Sequence, residues 1–161
     1  MIIAIAADHR GHALKSRVSV LLSELGHEVV DMGTNSTRSC DYPDMAYPAA
    51  KAVAAKRVER AILIDGNGLG MSMGANKVPG VRAALCHDEL TAEMSRRHND
   101  ANVLCLASDV LGEELIRRIT VTWLSTEFDA SGRHGRRVAK LGWIEQGKDP
   151  NEFDQDSTGQ A

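Results

Sequence analysis

The sequence predicts an α/β fold: a three-layer α/β/α arrangement around a Rossmann-like, five-stranded parallel sheet. Three observations carry that prediction. Five short segments read as strands, and the first, Ile2 to Ala6, lacks the polar alternation of a half-exposed strand, as a strand covered on both faces should. Segments with helical apolar spacing follow them in turn, which calls for right-handed crossovers and parallel strands. The third run ends in a carboxylate and a glycine loop, Asp65-Gly66-Asn67-Gly68-Leu69-Gly70, where a strand must turn sharply into a helix. At 161 residues, one domain with a sizeable core is expected.

The elements follow in order. Ile2 to Ala6 reads as strand one and ends at Ala7-Asp8-His9-Arg10-Gly11. Leu14, Val18, Leu21, Leu22 and Leu25 fall on one helical face, and Gly26 stands where a C-terminal cap belongs. His27 to Met32 reads as strand two, followed by a polar loop through Asp41, Tyr42 and Pro43. Asp44 is expected to cap a helix running to about Ala55. Strand three is Arg60 to Ile64, strand four Val81 to Cys86 and strand five Asn102 to Ala107. Asp88 caps a helix reaching His98, with Leu90 and Met94 expected inward. Leu111, Leu115, Ile119 and Thr122 mark the next helix, and Val138, Leu141 and Ile144 the last.

In an open parallel sheet, ligands bind beyond the carboxyl ends of the strands. Asp8-His9, the Asp41-Tyr42 loop, Asp65 with its glycines, Cys86-His87 and Ser108-Asp109 all fall at that edge. The loop could hold an anion on its N–H groups. It is not a P-loop, because Met71-Ser72 follows the last glycine and Lys77 comes too late; nor does G-x-G-x-G match the dinucleotide spacing. A nucleotide cofactor is therefore disfavoured, and a ligand-free tight connection remains the blander alternative.

A net charge of -3 with scattered Lys and Arg argues against nucleic acid and anionic membrane as partners. No apolar run has transmembrane length, and Met1-Ile2-Ile3-Ala4 lacks a signal peptide's charged start, so a cytoplasmic protein is expected. Cys40, Cys86 and Cys105 have neither disulfide-framework nor metal-site spacing; reduced thiols and no metal are expected. His98-Asn99 and Arg133-x-x-x-Arg137 follow helices that run antiparallel to the strands. They therefore lie about 15 Å or more from Asp65 in their own chain. If they belong to the same site, a second subunit must supply them across a two-fold interface. The alternative is that these basic groups simply favour helix C-termini.

Ala7-Asp8-His9, Asp41-Tyr42-Pro43, Gly66-x-Gly68-x-Gly70-Met71-Ser72 with Ala75-Asn76-Lys77-Val78-Pro79-Gly80, His98-Asn99-Asp100-Ala101-Asn102 and Gly132-Arg133-His134-x-x-Arg137 together resemble the type B ribose-5-phosphate isomerases and their allose- and galactose-6-phosphate relatives. The resemblance runs from Ile2 to about Gln146. It implies a sugar-phosphate isomerase domain over residues 1–147 and a polar tail over 148–161, expected to be loosely ordered. It also implies a cofactor-free and metal-free aldose-ketose isomerase acting through a cis-enediolate. The expected partners are a small sugar phosphate and a second copy of the chain, in a homodimer with shared active sites or a tetramer built from it.

By this resemblance Asp65 is the base that moves a proton between C1 and C2, in a position where the family commonly has cysteine. The N–H groups from Gly66 through Asn67 and Gly68 to Gly70 would cradle the enediolate. His98 of the partner subunit, helped by Asp8, would open the furanose ring; His9, Arg133 and Arg137 would hold the phosphate. Asn99 and Tyr42 would contact sugar hydroxyls, and Asn67 stands where a hydroxyl residue is usual. Asp109 stands where an arginine is common and would repel a phosphate dianion. Ribose 5-phosphate is the leading substrate. The alternatives are a tetrose or hexose phosphate, and a non-catalytic sugar-phosphate-binding homologue.

Overall fold

The computed structural model describes residues 1–153. Five parallel strands, β1 (Ile2–Ala7), β2 (Glu28–Asp31), β3 (Arg60–Asp65), β4 (Ala83–Leu85) and β5 (Val103–Ala107), form one sheet in the order β2-β1-β3-β5-β4. Helices α1 (His12–Glu24), α2 (Tyr42–Ala54), α3 (Leu69–Ala75), α4 (Glu89–Asn99), α5 (Glu113–Ser125) and α6 (Gly132–Glu145) connect and follow them. The expected α/β class and five-stranded parallel sheet are what the chain adopts.

Side-chain alternation along the strands divides the core into two layers. Ile3, Ile5, Ile62, Ile64, Leu104 and Leu106 face α1 and α5, where Leu22, Ile119 and Trp123 are fully buried. Ala4, Ala6, Ala61, Leu63, Val103 and Cys105 face α2 and α3. The α2 side presents Ala46, Ala49, Ala50 and Ala52, so the helix packs through small side chains against the sheet. The strand order reverses between β1 and β3: one leads through α1 to β2 on one side, the other through α3 and α4 to β4 and β5 on the other. Their carboxyl ends carry Asp8 and Asp65, so the crevice expected at such a switch point opens between two carboxylates.

Several boundaries and faces differ from the sequence reading. The second helix begins at Tyr42, with Asp41 rather than Asp44 at the N-cap, because Pro43 in the first turn has no N–H to lose; Pro48 lies inside the helix without ending it. Strand β4 keeps only three residues. Before it, Arg82 turns its guanidinium onto Asp100, and the Asn76 side chain bonds both N–H and C=O of Ala83 at 2.9 Å. Leu90 is 65% exposed, and the buried face of α4 is instead Ala92, Ser95 and Arg96. Arg96 can be buried because Asp100 and the Ala101 carbonyl accept from it and Trp123 lies under its guanidinium. In α5, Ile116, Ile119 and Trp123 are buried while Leu111 precedes the helix. On α6, Leu141 and Ile144 are exposed.

Residues 148–153 of the expected tail fold back, with a 3-10 turn at Pro150–Glu152 and Phe153 packed edge-on against Trp143. Residues 154–161 lie outside the described residues. No described helix is long and apolar enough to cross a membrane.

Candidate active site

The crevice beyond β1 and β3 is a cavity of about 550 Å³, lined among others by Asp8, Tyr42, Asp65, Gly66, Asn67 and Gly70. Arg10 and Asp109 complete its rim. Six of the expected site residues are thus brought together by the ends of two strands, the glycine loop and the start of α2. Asp8, 6% exposed, accepts from the amides of Arg10 and Gly11 and so fixes the turn after β1. His9 flanks it, its Nδ1 accepting from the Cys40 amide at 3.4 Å. The Tyr42 ring lies against Gly70, where an added Cβ would stand only 2.9 Å from ring carbons; any side chain there would displace the ring.

Asp65 is 4% exposed, and its carboxylate organises the loop. Oδ1 accepts from the amides of Asn67 (3.1 Å) and Gly68, and Oδ2 accepts from Met71 (3.1 Å). Gly68 has φ of +77°, the left-handed conformation that lets the chain bend back around the carboxylate. The Asn67 side chain closes the next gap by accepting from the Leu69 amide. This corrects the expected cradle. The Asn67 and Gly68 amides are already bonded to Asp65, and among the loop amides only those of Gly66 and Gly70 have no partner within the described residues. An ionised carboxylate oxygen has room for two hydrogen bonds, so Oδ2, with one amide, keeps a lone pair for a proton. Ser108 ties β5 to the loop through its hydroxyl, which donates to the Asp65 carbonyl at 2.9 Å.

His98, Asn99, Arg133 and Arg137 do not line this cavity. They gather at the opposite edge, where α4 ends and α6 begins. The His98 ring stacks flat on His134, with centroids 4.1 Å apart and an interplanar angle of 3°. Arg133 Nε donates to His134 Nε2 at 3.4 Å. Burial lowers the His134 pKa below the usual histidine value, with the charges of His98 and Arg133 adding to it. Asp100, left-handed at φ of +47°, ends α4 and pairs with Arg82 at 2.7 Å and Arg96 at 2.8 Å, so the turn carrying His98 is pinned on two sides. Asn99 lines a separate groove with Asn76, Leu141 and Ile144. One chain therefore holds two separate clusters of the expected residues, at opposite ends of its sheet.

Two residues to which sequence reasoning gave no role enter the geometry. Arg10 lines the cavity and pairs with Asp109; the only signal in the sequence was an unexplained carboxylate at 109. His134 stands inside a quoted motif, yet nothing in its spacing showed that it would stack on His98. Cys105 lies fully buried beneath the site, its thiol pKa pushed well up by burial and then by the Asp65 charge; it is a core residue. Among the described residues, no three His, Cys, Asp or Glu side chains converge as a metal site.

A family model described as Ribose/Galactose Isomerase matches residues 3–141. Ribose-5-phosphate isomerase B of Escherichia coli is 44% identical over 144 residues, covering 89% of this chain and 96% of that protein. D-erythrulose-4-phosphate isomerase of Pectobacterium atrosepticum is 40% identical, over 89% of this chain and 94% of its own length. The solved structure of Clostridium thermocellum ribose-5-phosphate isomerase B superposes with a TM-score of 0.89 at 48% identity, covering 91% of this chain and 99% of that one. The match spans both clusters, from Asp8 through the glycine loop to Arg137, and with it the chain belongs to the ribose/galactose isomerase family.

Proposed function

We propose that the protein is an aldose-ketose isomerase of a small sugar phosphate, interconverting ribose 5-phosphate and ribulose 5-phosphate through a cis-enediolate. One observation carries the reading: Asp65 is a buried carboxylate with one open oxygen position, beside two unbonded amides, in a cavity at the sheet's switch point. Asp65 Oδ2 takes the proton from C2 of the open-chain aldose and returns it to C1. The amides of Gly66 and Gly70 meet the oxygen on which enediolate charge develops. Tyr42 and Asn67 contact sugar hydroxyls, and His9 stands at the phosphate end.

The charges in the cavity support a shared site. Among the described residues, Asp8, Asp65 and Asp109 face a single cation, Arg10, so one chain alone offers a dianionic substrate a negative surround. Arg133 and Arg137, with His98 and Asn99, are the groups a second chain would contribute through a two-fold interface. Arg133 and Arg137 clamp the phosphate, and His98, with Asp8 across the interface, opens the furanose ring. The active unit is then a homodimer.

Incubating four-, five- and six-carbon aldose phosphates in D₂O, scored for isomer and for deuterium at C2, tests the reading. Fastest exchange with the five-carbon sugar is expected. Fastest exchange with the tetrose would move the substrate toward that of the Pectobacterium relative. Binding without exchange for any sugar would make the protein a non-catalytic sugar-phosphate binder.

A further inference from the structure

We infer that Arg10 is a substrate-binding residue for the phosphoryl group, with Asp109 as its positioning partner; this rests on the sugar-phosphate reading above. Among the described residues, Arg10 is the only cation lining the Asp65 cavity. Its backbone is fixed at the turn, where its amide donates to Asp8 Oδ1 at 2.8 Å; the Ser108 hydroxyl, whose proton goes chiefly to the Asp65 carbonyl, lies 3.3 Å from the Arg10 carbonyl. Its side chain reaches from the end of β1 to the end of β5. There Nε and Nη2 both donate to the single oxygen Asp109 Oδ2, at 2.9 and 2.5 Å.

The pair lies directly over the glycine loop. A Cβ on Gly66 would stand 2.7 Å from Asp109 Oδ2 and 3.6 Å from Arg10 Nε, so only glycine lets the pair cross here. An ion pair this exposed, at 58% and 41% for the two side chains, contributes little to stability. Its consequence is positional. Two of the five guanidinium donors point at Asp109, and the remaining N–H groups are open to an anion in the cavity. Asp109 raises the Arg10 pKa further, first through the hydrogen bond and then through its charge, so the cation is permanent.

This resolves the conflict posed by Asp109. A bare carboxylate at that position would repel a phosphate; a carboxylate bonded to Arg10 holds a cation toward it. The positive charge at this rim comes from the turn after β1 and is presented by Asp109, two residues past the end of β5.

The test compares wild type, Arg10→Gln, Asp109→Asn and the double variant. KM for ribose 5-phosphate and inhibition by inorganic phosphate are both measured, and phosphate binding is followed separately by calorimetry. Arg10→Gln should raise KM and the phosphate inhibition constant roughly tenfold or more, by loss of a charge-assisted contact and exposure of Asp109, with a smaller change in kcat. Adding Asp109→Asn to Arg10→Gln should recover part of that loss, because the uncovered carboxylate is gone. A surface ion pair without a ligand role would leave both constants unchanged, and that result overturns the assignment. If wild type isomerises no sugar phosphate, the activity reading fails by itself. Arg10 is then judged on phosphate binding alone: loss in Arg10→Gln supports the inference, and equal binding in both proteins, or none in either, overturns it.

Discussion

Replacing Asp65 by Asn separates its two roles in the structure, because the carboxylate both caps the glycine loop and presents an oxygen to the cavity. In Asp65→Asn the remaining oxygen still accepts from the amides of Asn67 and Gly68, but Nδ2 now faces the Met71 N–H across 3.1 Å. A lost acceptor with donor set against donor costs about 1–3 kcal/mol. For a chain of this size each kcal/mol lowers Tm by about 2–4 °C, so a fall of roughly 2–12 °C is expected by differential scanning calorimetry. The chemical loss is larger: removing a positioned general base costs about 10²–10⁴ in rate. Deuterium exchange at C2 of ribose 5-phosphate should fall by that factor while sugar-phosphate binding stays close to wild type. Asp65→Cys removes all three amide acceptors, so it should be the less stable variant; it also releases the Asn67 and Gly68 amides toward the substrate. Its exchange rate should peak at a more alkaline pH, because an ordinary thiol ionises near about 8.5. Near-normal C2 exchange in a folded Asp65→Asn protein would refute the base assignment and leave Asp65 as a loop cap alone.

Two further outcomes follow from the separation of the two clusters and from the stacked histidines. Mixing inactive Asp65→Asn and His98→Ala subunits should regenerate activity, since one of the two composite sites in each mixed dimer then carries both intact groups; verified mixed dimers with no recovery would rule out a shared site. The lowered pKa of His134 means the folded chain takes up that proton less readily than the unfolded one. Stability then falls as pH drops below about 6.5, with His27, also lowered by burial, adding to the same slope. His134→Gln should flatten the fall in urea midpoint between neutral and mildly acidic buffer, and an unchanged slope would show that the stacked pair does not resist protonation.

The parts of the fold that could be read from residue types are those in which burial and hydropathy agree. Ile2 to Ala7 and Ala61 to Ile64 are apolar because both sheet faces are covered, and their strand assignments follow. Where a polar group is buried and satisfied, that link breaks. Arg96 and Ser95 form the inner face of α4 in place of Leu90, and no hydropathy pattern contains the Asp100 and Trp123 partners that make this possible. The strand-to-helix loop after Asp65 was equally legible, since few sequences other than glycine permit it. What Asp65 does there was not, because the direction of a carboxylate depends on which amides it meets. The pair most distant from sequence reasoning is Arg10 with Asp109: 99 positions apart, they meet only because β1, β3 and β5 lie side by side.

The same topology bears on why the two clusters stand apart in a single chain. Parallel strands send their carboxyl ends to one edge and return through helices whose C-termini reach the other, so His98 cannot approach Asp65 without unmaking α4. At that second edge, α6 carries Arg133 and Arg137 at its start, and further along exposes Leu141 and Ile144 beside the groove that contains Asn99. Exposed apolar residues on a helix whose Arg133 and Arg137 meet no carboxylate among the described residues fit a surface that packs against another protein surface better than one left in water. A two-fold partner placed there would bury the apolar residues and bring its own Asp65 cavity, short of cations, to the arginines. Charge deficit at one edge and charge surplus with apolar surface at the other are complementary within one sequence, as an isologous interface requires.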